Sequence, residues 1–143
     1  MPEDDGRLEL SAPATPEMLD LVHAVLEQLW AGHADVATSD RVRFETAVIE
    51  ILGNIVEHAY ELDAPAAGDR RFDISLTASP TELVAAFGDD GVPMSIDLSS
   101  VAMPDELAES GRGLALAMAA VDDLSYAREG GRNLWRLTCL RRG

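Results

Sequence analysis

The chain has 143 residues, of which 26 are acidic and 11 basic, giving a formal net charge of -15. This balance excludes direct binding of nucleic acid, because contacts to phosphate need a basic surface. No apolar run approaches the ~20 residues of a membrane-spanning helix, and the acidic N-terminal residues do not form a signal peptide. We therefore predict a cytoplasmic protein with a single domain over residues 1–143, of which residues 1–6 are flexible.

The first part of the sequence predicts one strand and two helices. Weak alternation of apolar residues indicates an edge strand at Arg7–Ser11. A threonine-proline-glutamate cap at 15–17 and apolar residues at helical spacing predict a helix that continues to about Trp30. A longer helix with one face of large apolar side chains is predicted from about Ser39 to Tyr60.

Beyond residue 70 the apolar spacing changes to alternation, which predicts two β-hairpins with a short helix between them. The single cysteine, Cys139, falls in an apolar segment and is predicted to be a buried thiol. Since helices and strands do not alternate singly, we expect helices on one face of a mostly antiparallel sheet rather than a doubly wound parallel sheet. The predicted elements are strands Phe72–Thr77 and Leu83–Phe87, helix Leu114–Val121, and strands Leu124–Arg128 and Leu134–Leu140.

A polar stripe on the second predicted helix is the first candidate for chemistry. Glu50, Asn54 and His58 recur every four residues and therefore share one side of the helix, with successive positions about 6 Å apart. A carboxylate and a carboxamide so placed can hold a hydroxyl and a magnesium ion together, because magnesium favours oxygen ligands and keeps several waters. Taken alone, such a pair is typical of an exposed helix face.

Two glycine-containing segments follow the predicted first hairpin. Asp89 lies just past a strand, where its carboxylate can accept the exocyclic amine of adenine, and Gly91 lets the backbone turn close to the ring. Gly111 and Gly113 directly precede the short helix, whose unpaired N–H groups form a natural phosphate site, and Arg112 adds one positive charge. Either segment by itself is also typical of an ordinary loop.

Together, and in this order, these segments resemble the N, G1 and G2 boxes of the GHKL ATPase superfamily. The motifs are Glu50-x-x-x-Asn54-x-x-x-His58, Asp89-x-Gly91-x-Pro93 and Gly111-x-Gly113-Leu114-x-Leu116. The resemblance extends roughly from Leu8 to Leu140. It implies the Bergerat ATP-binding fold, an α+β two-layer sandwich whose mixed, mostly antiparallel sheet has helices on one face.

The resemblance implies ATP and Mg²⁺ as cofactors and gives each box a role. Glu50 is the implied general base and Asn54 the magnesium ligand, while His58 touches phosphate or braces the site. Asp89 is the residue implied to recognise adenine, and Gly91 is the glycine implied to approach the adenine ring closely. The other implied nucleotide-binding residues are Pro93, Arg112, Leu114 and the two glycines that frame a phosphate-covering lid, Gly111 and Gly113.

Within the superfamily, the chain most resembles the stand-alone anti-sigma-factor serine kinases of the RsbW type. Its small size, the tripeptide His58-Ala59-Tyr60 and the compact lid favour this group. The resemblance implies that the protein binds a sigma factor and phosphorylates a serine on a small anti-anti-sigma (STAS) protein. It also suggests a homodimer, for which the apolar face of the first helix is either the interface or simply part of the core.

Three features depart from the superfamily pattern. Pro93 stands where many members have a second glycine, and Asn133 occupies the region where many relatives place an adenine-contacting threonine. The lid, Met94–Ser110, contains no lysine that would bind phosphate. The adenine contact at Asn133 and the tightness of ATP binding are therefore left open by the sequence.

Three other functions are compatible with the sequence. A histidine-kinase catalytic domain acting in trans is one, but Ala24 rather than an acid follows His23, and apolar neighbours predict a packed position for that histidine. A protein-binding regulator that uses nucleotide only to set its shape is another, although it would not need Glu50 as a base. An ATPase module of a gyrase or chaperone would need further domains.

Overall fold

The computed structural model describes residues 7–62, 71–91 and 109–143. Each predicted helix and strand is present, with shifted ends, whereas Pro93 and residues 94–108 of the predicted lid lie outside the described residues. No helix in the described ranges is long and apolar enough to cross a bilayer. In chain order the elements are β1 Arg7–Pro13, α1 Met18–Gly32, α2 Thr38–Leu62, β2 Arg71–Ala78, β3 Glu82–Asp89, α3 Glu109–Ala120, β4 Asp123–Glu129 and β5 Arg132–Leu140.

The described strands form one sheet in the order β1-β2-β3-β5-β4, and all of its pairings are antiparallel. The β4–β5 hairpin turns through Gly130 and Gly131, whose φ angles are 59° and 78°. Two successive positive φ angles are what a two-residue type I′ turn requires, and glycine adopts them without steric strain. This sheet, with the helices described next, confirms the predicted α+β two-layer fold.

Alternation gives the sheet one buried and one open face. On β2, Phe72, Ile74 and Leu76 are buried, whereas Asp73 and Ser75 between them are partly exposed. The strand register continues the buried row across β3 and β5, and this row forms one core cluster with side chains of all three helices. The helices therefore lie on one face of the sheet, as predicted.

The helix layer covers the sheet with large apolar side chains. Val22, Leu26 and Trp30 of α1 and Phe44 and Ile51 of α2 are all buried. The Trp30 ring packs edge-on against Phe44 with 5.9 Å between the ring centroids, an arrangement that aromatic pairs favour. The apolar face of α1 is thus occupied by the core of this chain.

His23 is exposed on α1, so the packed position predicted for it is wrong. Val22 and Leu26 define the buried stripe of the helix. A residue one position after Val22 is rotated by about 100° around the axis and faces outward. The apolar neighbours of His23 in sequence therefore do not surround it in space.

The C-terminal residues tie the end of α3 to the start of α2, in an arrangement that we name the C-terminal clamp. Arg43 on α2 donates a hydrogen bond to the Ala120 carbonyl at 3.0 Å. Asp40, 1% exposed, accepts hydrogen bonds from Arg43 at 3.0 Å and from the backbone N–H groups of Arg142 and Gly143. Because α3 ends at the start of α2 and packs along it, the two helices run antiparallel.

The glycine segment lies inside α3, which begins at Glu109 rather than at the predicted Leu114. Gly111 and Gly113 each disfavour helix by about 1 kcal/mol relative to alanine, so propensity predicts a later start. Packing along α2 overrides this preference. The 12 residues of α3 span about 18 Å. With its C-terminal end at the clamp, the helix therefore reaches about the level of Asn54 at its first turn.

Candidate functional site

The end of β3 places a carboxylate in an otherwise apolar row. Phe87 is buried in the core, and Asp89, the next residue on that face, is 5% exposed. Burying a carboxylate costs free energy unless hydrogen-bond donors surround it. Its Oδ1 accepts hydrogen bonds from the Gly91 N–H and from the Asn133 side-chain amide, each at 2.9 Å. Its Oδ2 is buried and has no hydrogen-bond partner within the described ranges.

Asn133 supports Asp89 from the neighbouring strand, because the β3–β5 register pairs these two residues. Asn133 is fully buried. Its amide oxygen accepts hydrogen bonds from the Tyr126 hydroxyl and from Arg128, the latter at 3.2 Å. Donors on the oxygen side and a carboxylate on the nitrogen side fix the orientation of the amide. Asn133 therefore acts as a donor to Asp89.

Arg128 joins this group to the loop after β3. Its Nη1 donates to the Gly91 carbonyl at 2.6 Å as well as to Asn133. Gly91 is buried, and a Cβ added to it would lie only 3.0 Å from Asp89 Oδ1. The backbone therefore approaches the carboxylate more closely than a side chain would allow. We call Asp89, Gly91, Tyr126, Arg128 and Asn133 the Asp89 network.

Tyr126 and Arg128 belong to this network although the sequence motifs did not single them out. Both lie on β4, where the hairpin register pairs Arg128 with Asn133 and Tyr126 with Trp135. The Gly130-Gly131 turn is a sequence signal for that register. The pairing of β5 with β3, which brings the hairpin to Asp89, has no comparable local signal.

Glu50 and Asn54 lie on α2 among buried apolar neighbours and are themselves partly exposed. Their four-residue spacing within one continuous helix places them on the same side, one turn apart. The antiparallel α3 brings the backbone of Gly111 and Gly113 to about the same level of α2. The N-terminal part of α3 therefore lies at about the level of Asn54 along α2.

The remaining predicted residues contribute less to the described geometry. The side chain of Leu114 is 6% exposed and packs in the core cluster. Pro93 and the side chains of His58 and Arg112 lie outside the part of the chain that the structure describes.

A hollow of about 640 Å³ lies on the open face of the sheet, opposite the helices. Small side chains such as Ser75, Ala86 and Ala127 line it, together with Arg136. No residue that the sequence motifs predict for the site lines this hollow. It is therefore separate from the Asp89 network, whose side chains lie on the helix face.

The chain matches known proteins over most of its length. A family model described as the histidine kinase-like ATPase domain matches residues 12–139. The crystal structure of the RsbU and RsbW domains of Rv1364c from Mycobacterium tuberculosis is similar, with a TM-score of 0.67 and 22% identity over 96% of this chain. This chain covers 33% of the length of that one.

A second similar structure is the SiaB-SiaC complex from Pseudomonas aeruginosa. Its TM-score is 0.58 with 17% identity, and the match covers 93% of this chain and 89% of that chain. At these identities the two structures establish the fold of the chain. No curated protein is significantly similar to it in sequence.

Proposed function

Because this chain belongs to the histidine kinase-like ATPase domain family, we propose that it is an ATP-dependent protein kinase of the anti-sigma type. In this proposal the protein binds a sigma factor and transfers the γ-phosphate of ATP to a serine of a small anti-anti-sigma (STAS) protein. The same chain would then hold one partner and modify the other. It would act as a homodimer.

The observation that supports nucleotide binding most directly is that Asp89 Oδ2 is buried without a hydrogen-bond partner within the described residues. A buried carboxylate oxygen without a donor costs about 1–3 kcal/mol, or more because it is charged. The 6-amino group of adenine is a donor of the right kind, and its binding would relieve this cost. Gly91, which has no side chain, leaves the backbone beside the carboxylate open to a close approach.

Asn54 fits the chemistry of a magnesium ligand, since its amide oxygen is a hard neutral donor on a partly exposed helix face. A magnesium ion held there would neutralise charge on the nucleotide phosphates. The backbone N–H groups at the N-terminal turn of α3 would bind phosphate oxygens at the positive end of the helix dipole. The magnesium ion and these N–H groups would offset the repulsion between the acidic chain and the nucleotide phosphates.

Glu50 would act on the protein substrate. Its carboxylate accepts the proton of the serine hydroxyl as the serine oxygen bonds to the γ-phosphorus and the bond to ADP breaks. One helical turn between Glu50 and Asn54 keeps the acceptor hydroxyl close to the bound phosphate. Phosphoryl transfer depends chiefly on such positioning and on stabilisation of charge.

The comparisons and the net charge support the proposed partner classes. One similar structure contains RsbU and RsbW domains, and the other is a complex of two proteins, SiaB and SiaC. Both structures are compatible with a domain that works by binding other proteins. A net charge of -15 would in addition favour a partner with a basic surface.

The test measures binding and transfer separately. Purified protein would be titrated with ATP and Mg²⁺ by calorimetry, then incubated with γ-labelled ATP and the STAS proteins encoded by the same genome. We expect Glu50→Gln to abolish labelling of the STAS serine while ATP and sigma-factor binding persist. Asn54→Ala is expected to weaken Mg²⁺-dependent ATP binding. Glu57→Gln, an exposed carboxylate on the same helix, is the matched control.

Each result separates the alternatives. Nucleotide binding that changes sigma-factor affinity, without label on any STAS protein, would favour a regulator that uses nucleotide only to set its shape. Transfer that continues unchanged in Glu50→Gln would remove that residue as the base. If the wild-type protein binds no nucleotide, the proposal fails.

A further inference from the structure

We propose that Tyr126, Arg128 and Asn133 set the nucleobase specificity of this protein by orienting Asp89 so that Oδ2, which has no partner within the described residues, faces a ligand as a hydrogen-bond acceptor. These three are positioning residues, which act through Asp89 rather than on the nucleotide. The inference rests on the proposed function and deepens it, because it names the side chains that make the site select a 6-amino purine.

The first step is the direction of the hydrogen bonds. The Tyr126 hydroxyl and Arg128 both donate to the Asn133 amide oxygen, and the Asn133 amide nitrogen donates to Asp89 Oδ1 at 2.9 Å. Turning the amide by 180° would set its NH₂ against two donors and its oxygen against a carboxylate. Both contacts would be repulsive, so Asn133 is held as a donor to Asp89.

The second step is the effect on Asp89. Its Oδ1 is occupied by Asn133 and by the Gly91 N–H, which leaves Oδ2 as the oxygen available to a ligand. As a carboxylate oxygen, Oδ2 would accept from the amino group of adenine and repel the carbonyl oxygen of a 6-oxo purine. A site of this kind rejects the wrong partner because it leaves buried polar groups unpaired.

The third step is the role of Arg128 as the residue that joins both ends of the network. Its Nη1 lies 3.2 Å from Asn133 Oδ1 and 2.6 Å from the Gly91 carbonyl, so one group holds the amide and the loop together. Tyr126 is held in turn by its ring, which packs on the buried Trp135 with 4.8 Å between centroids. The orientation of Asp89 therefore depends on the β4–β5 hairpin.

The experiment compares two nucleotides that differ only in the base. ATP and inosine triphosphate, which has a 6-oxo group, would be titrated with Mg²⁺ into the wild-type protein and into Tyr126→Phe, Arg128→Gln and Asn133→Asp. We expect the wild type to prefer ATP by about 100-fold. Each variant is expected to lower that ratio by about tenfold, because Asp89 loses the donor that orients it and its contact with the 6-amino group weakens, which costs ATP more than inosine triphosphate.

Two controls separate specificity from folding. Arg136→Gln removes an exposed arginine from the open face of the same hairpin and is expected to leave the ratio unchanged. Arg128→Lys keeps the charge and one donor and is expected to restore part of the preference. Melting temperatures of all variants identify any that fail to fold.

The outcomes distinguish this inference from the proposal on which it rests. If the folded variants weaken ATP and inosine triphosphate equally, or leave both unchanged, the three residues are structural only and the inference is wrong while the proposed function stands. If the wild type binds neither nucleotide, the proposed function fails and this inference fails with it.

Discussion

Asp89 Oδ2 is buried without a hydrogen-bond partner among the residues that the structure describes, a cost in stability that is typical of a site where a ligand supplies the missing donor. Asp89→Asn preserves an acceptor for the Gly91 and Asn133 donors and replaces the unpaired charge with a neutral NH₂. We expect the ligand-free protein to gain about 1 kcal/mol in stability. ATP affinity should fall about 30-fold, which corresponds to a charged hydrogen bond worth ~2 kcal/mol. Thermal melting and calorimetry measure the two effects, and unchanged ATP affinity would contradict the assigned role.

Gly91 offers a second test at the scale of one residue. In Gly91→Ala the new Cβ would lie 3.0 Å from Asp89 Oδ1, so the carboxylate or the loop must move. We expect ATP affinity to fall about tenfold, with a loss of stability of about 1 kcal/mol. Gly32→Ala is the matched control, because nothing lies within 4 Å of a Cβ there. Equal ATP affinities for the two variants would argue against a close approach at Gly91.

Residues adjacent in the chain were the part of the site that the sequence could predict. Asp89 and Gly91 belong to one short motif, and the structure places them in direct contact. Tyr126, Arg128 and Asn133 come from a different hairpin. Their position depends on β5 lying next to β3, and strand order is set by the packing of the whole sheet rather than by local spacing.

At the scale of elements, the C-terminal clamp links β5, α2 and the end of α3 through the Asp40 carboxylate. Burial by itself would raise the pKa of Asp40, but hydrogen bonds from Gly143, Arg43 and Arg142 outweigh it and hold that pKa below the ordinary 3.8. A lowered pKa in the folded state means that the ionised carboxylate stabilises the fold above about pH 3.8. This contribution is lost as the pH falls through the folded-state pKa.

Asp40→Asn tests this linkage. We expect the variant to lose about 2 kcal/mol of unfolding free energy at pH 7, since charged hydrogen bonds to Arg43 and the C-terminal backbone are weakened. The difference from wild type should be smaller at pH 3, which lies below the ordinary pKa of 3.8, and should vanish as the pH falls through the lowered folded-state pKa. Urea melts at both pH values give the comparison, with Asp123→Asn as an exposed control. A difference that is the same at both pH values would show that the ionised carboxylate is not what stabilises the clamp.

Cys139 reports on the integrity of β5. Burial raises the pKa of its thiol to about 11, so on the order of 0.1% is thiolate at pH 8. We expect negligible reaction with a disulfide reagent in the native state and complete reaction in guanidinium chloride. Rapid labelling of the native protein would mean that β5 detaches from the sheet easily. Faster labelling in Asp40→Asn than in wild type would connect this strand to the clamp.

For the whole molecule, the two-layer architecture could be predicted because it follows from the order of elements. Helical spacing up to residue 60 and alternation after residue 71 leave helices on one face of an antiparallel sheet as the compact solution. The start of α3 could not be predicted from the sequence in the same way. The sequence around Gly111 disfavours a helix, and contacts with α2, a tertiary effect, decide the outcome.

The net charge of -15 leads to a prediction about association. Several basic side chains are already engaged within the fold: Arg43 and Arg142 in the clamp, and Arg128 in the Asp89 network. The surface that remains is dominated by acidic groups, which attract a basic partner over distances that salt screens. We expect the association rate with a basic sigma factor to fall about tenfold between 50 and 500 mM salt, while dissociation changes little.

Stopped-flow mixing at several salt concentrations measures this rate directly. ATP binding provides the internal comparison, because the contacts proposed for it are local and partly buried and should respond less to salt. A sigma-factor association rate that does not vary with ionic strength would show that the acidic surface does not steer the partner. In that case the charge serves solubility, and recognition must depend on short-range contacts alone.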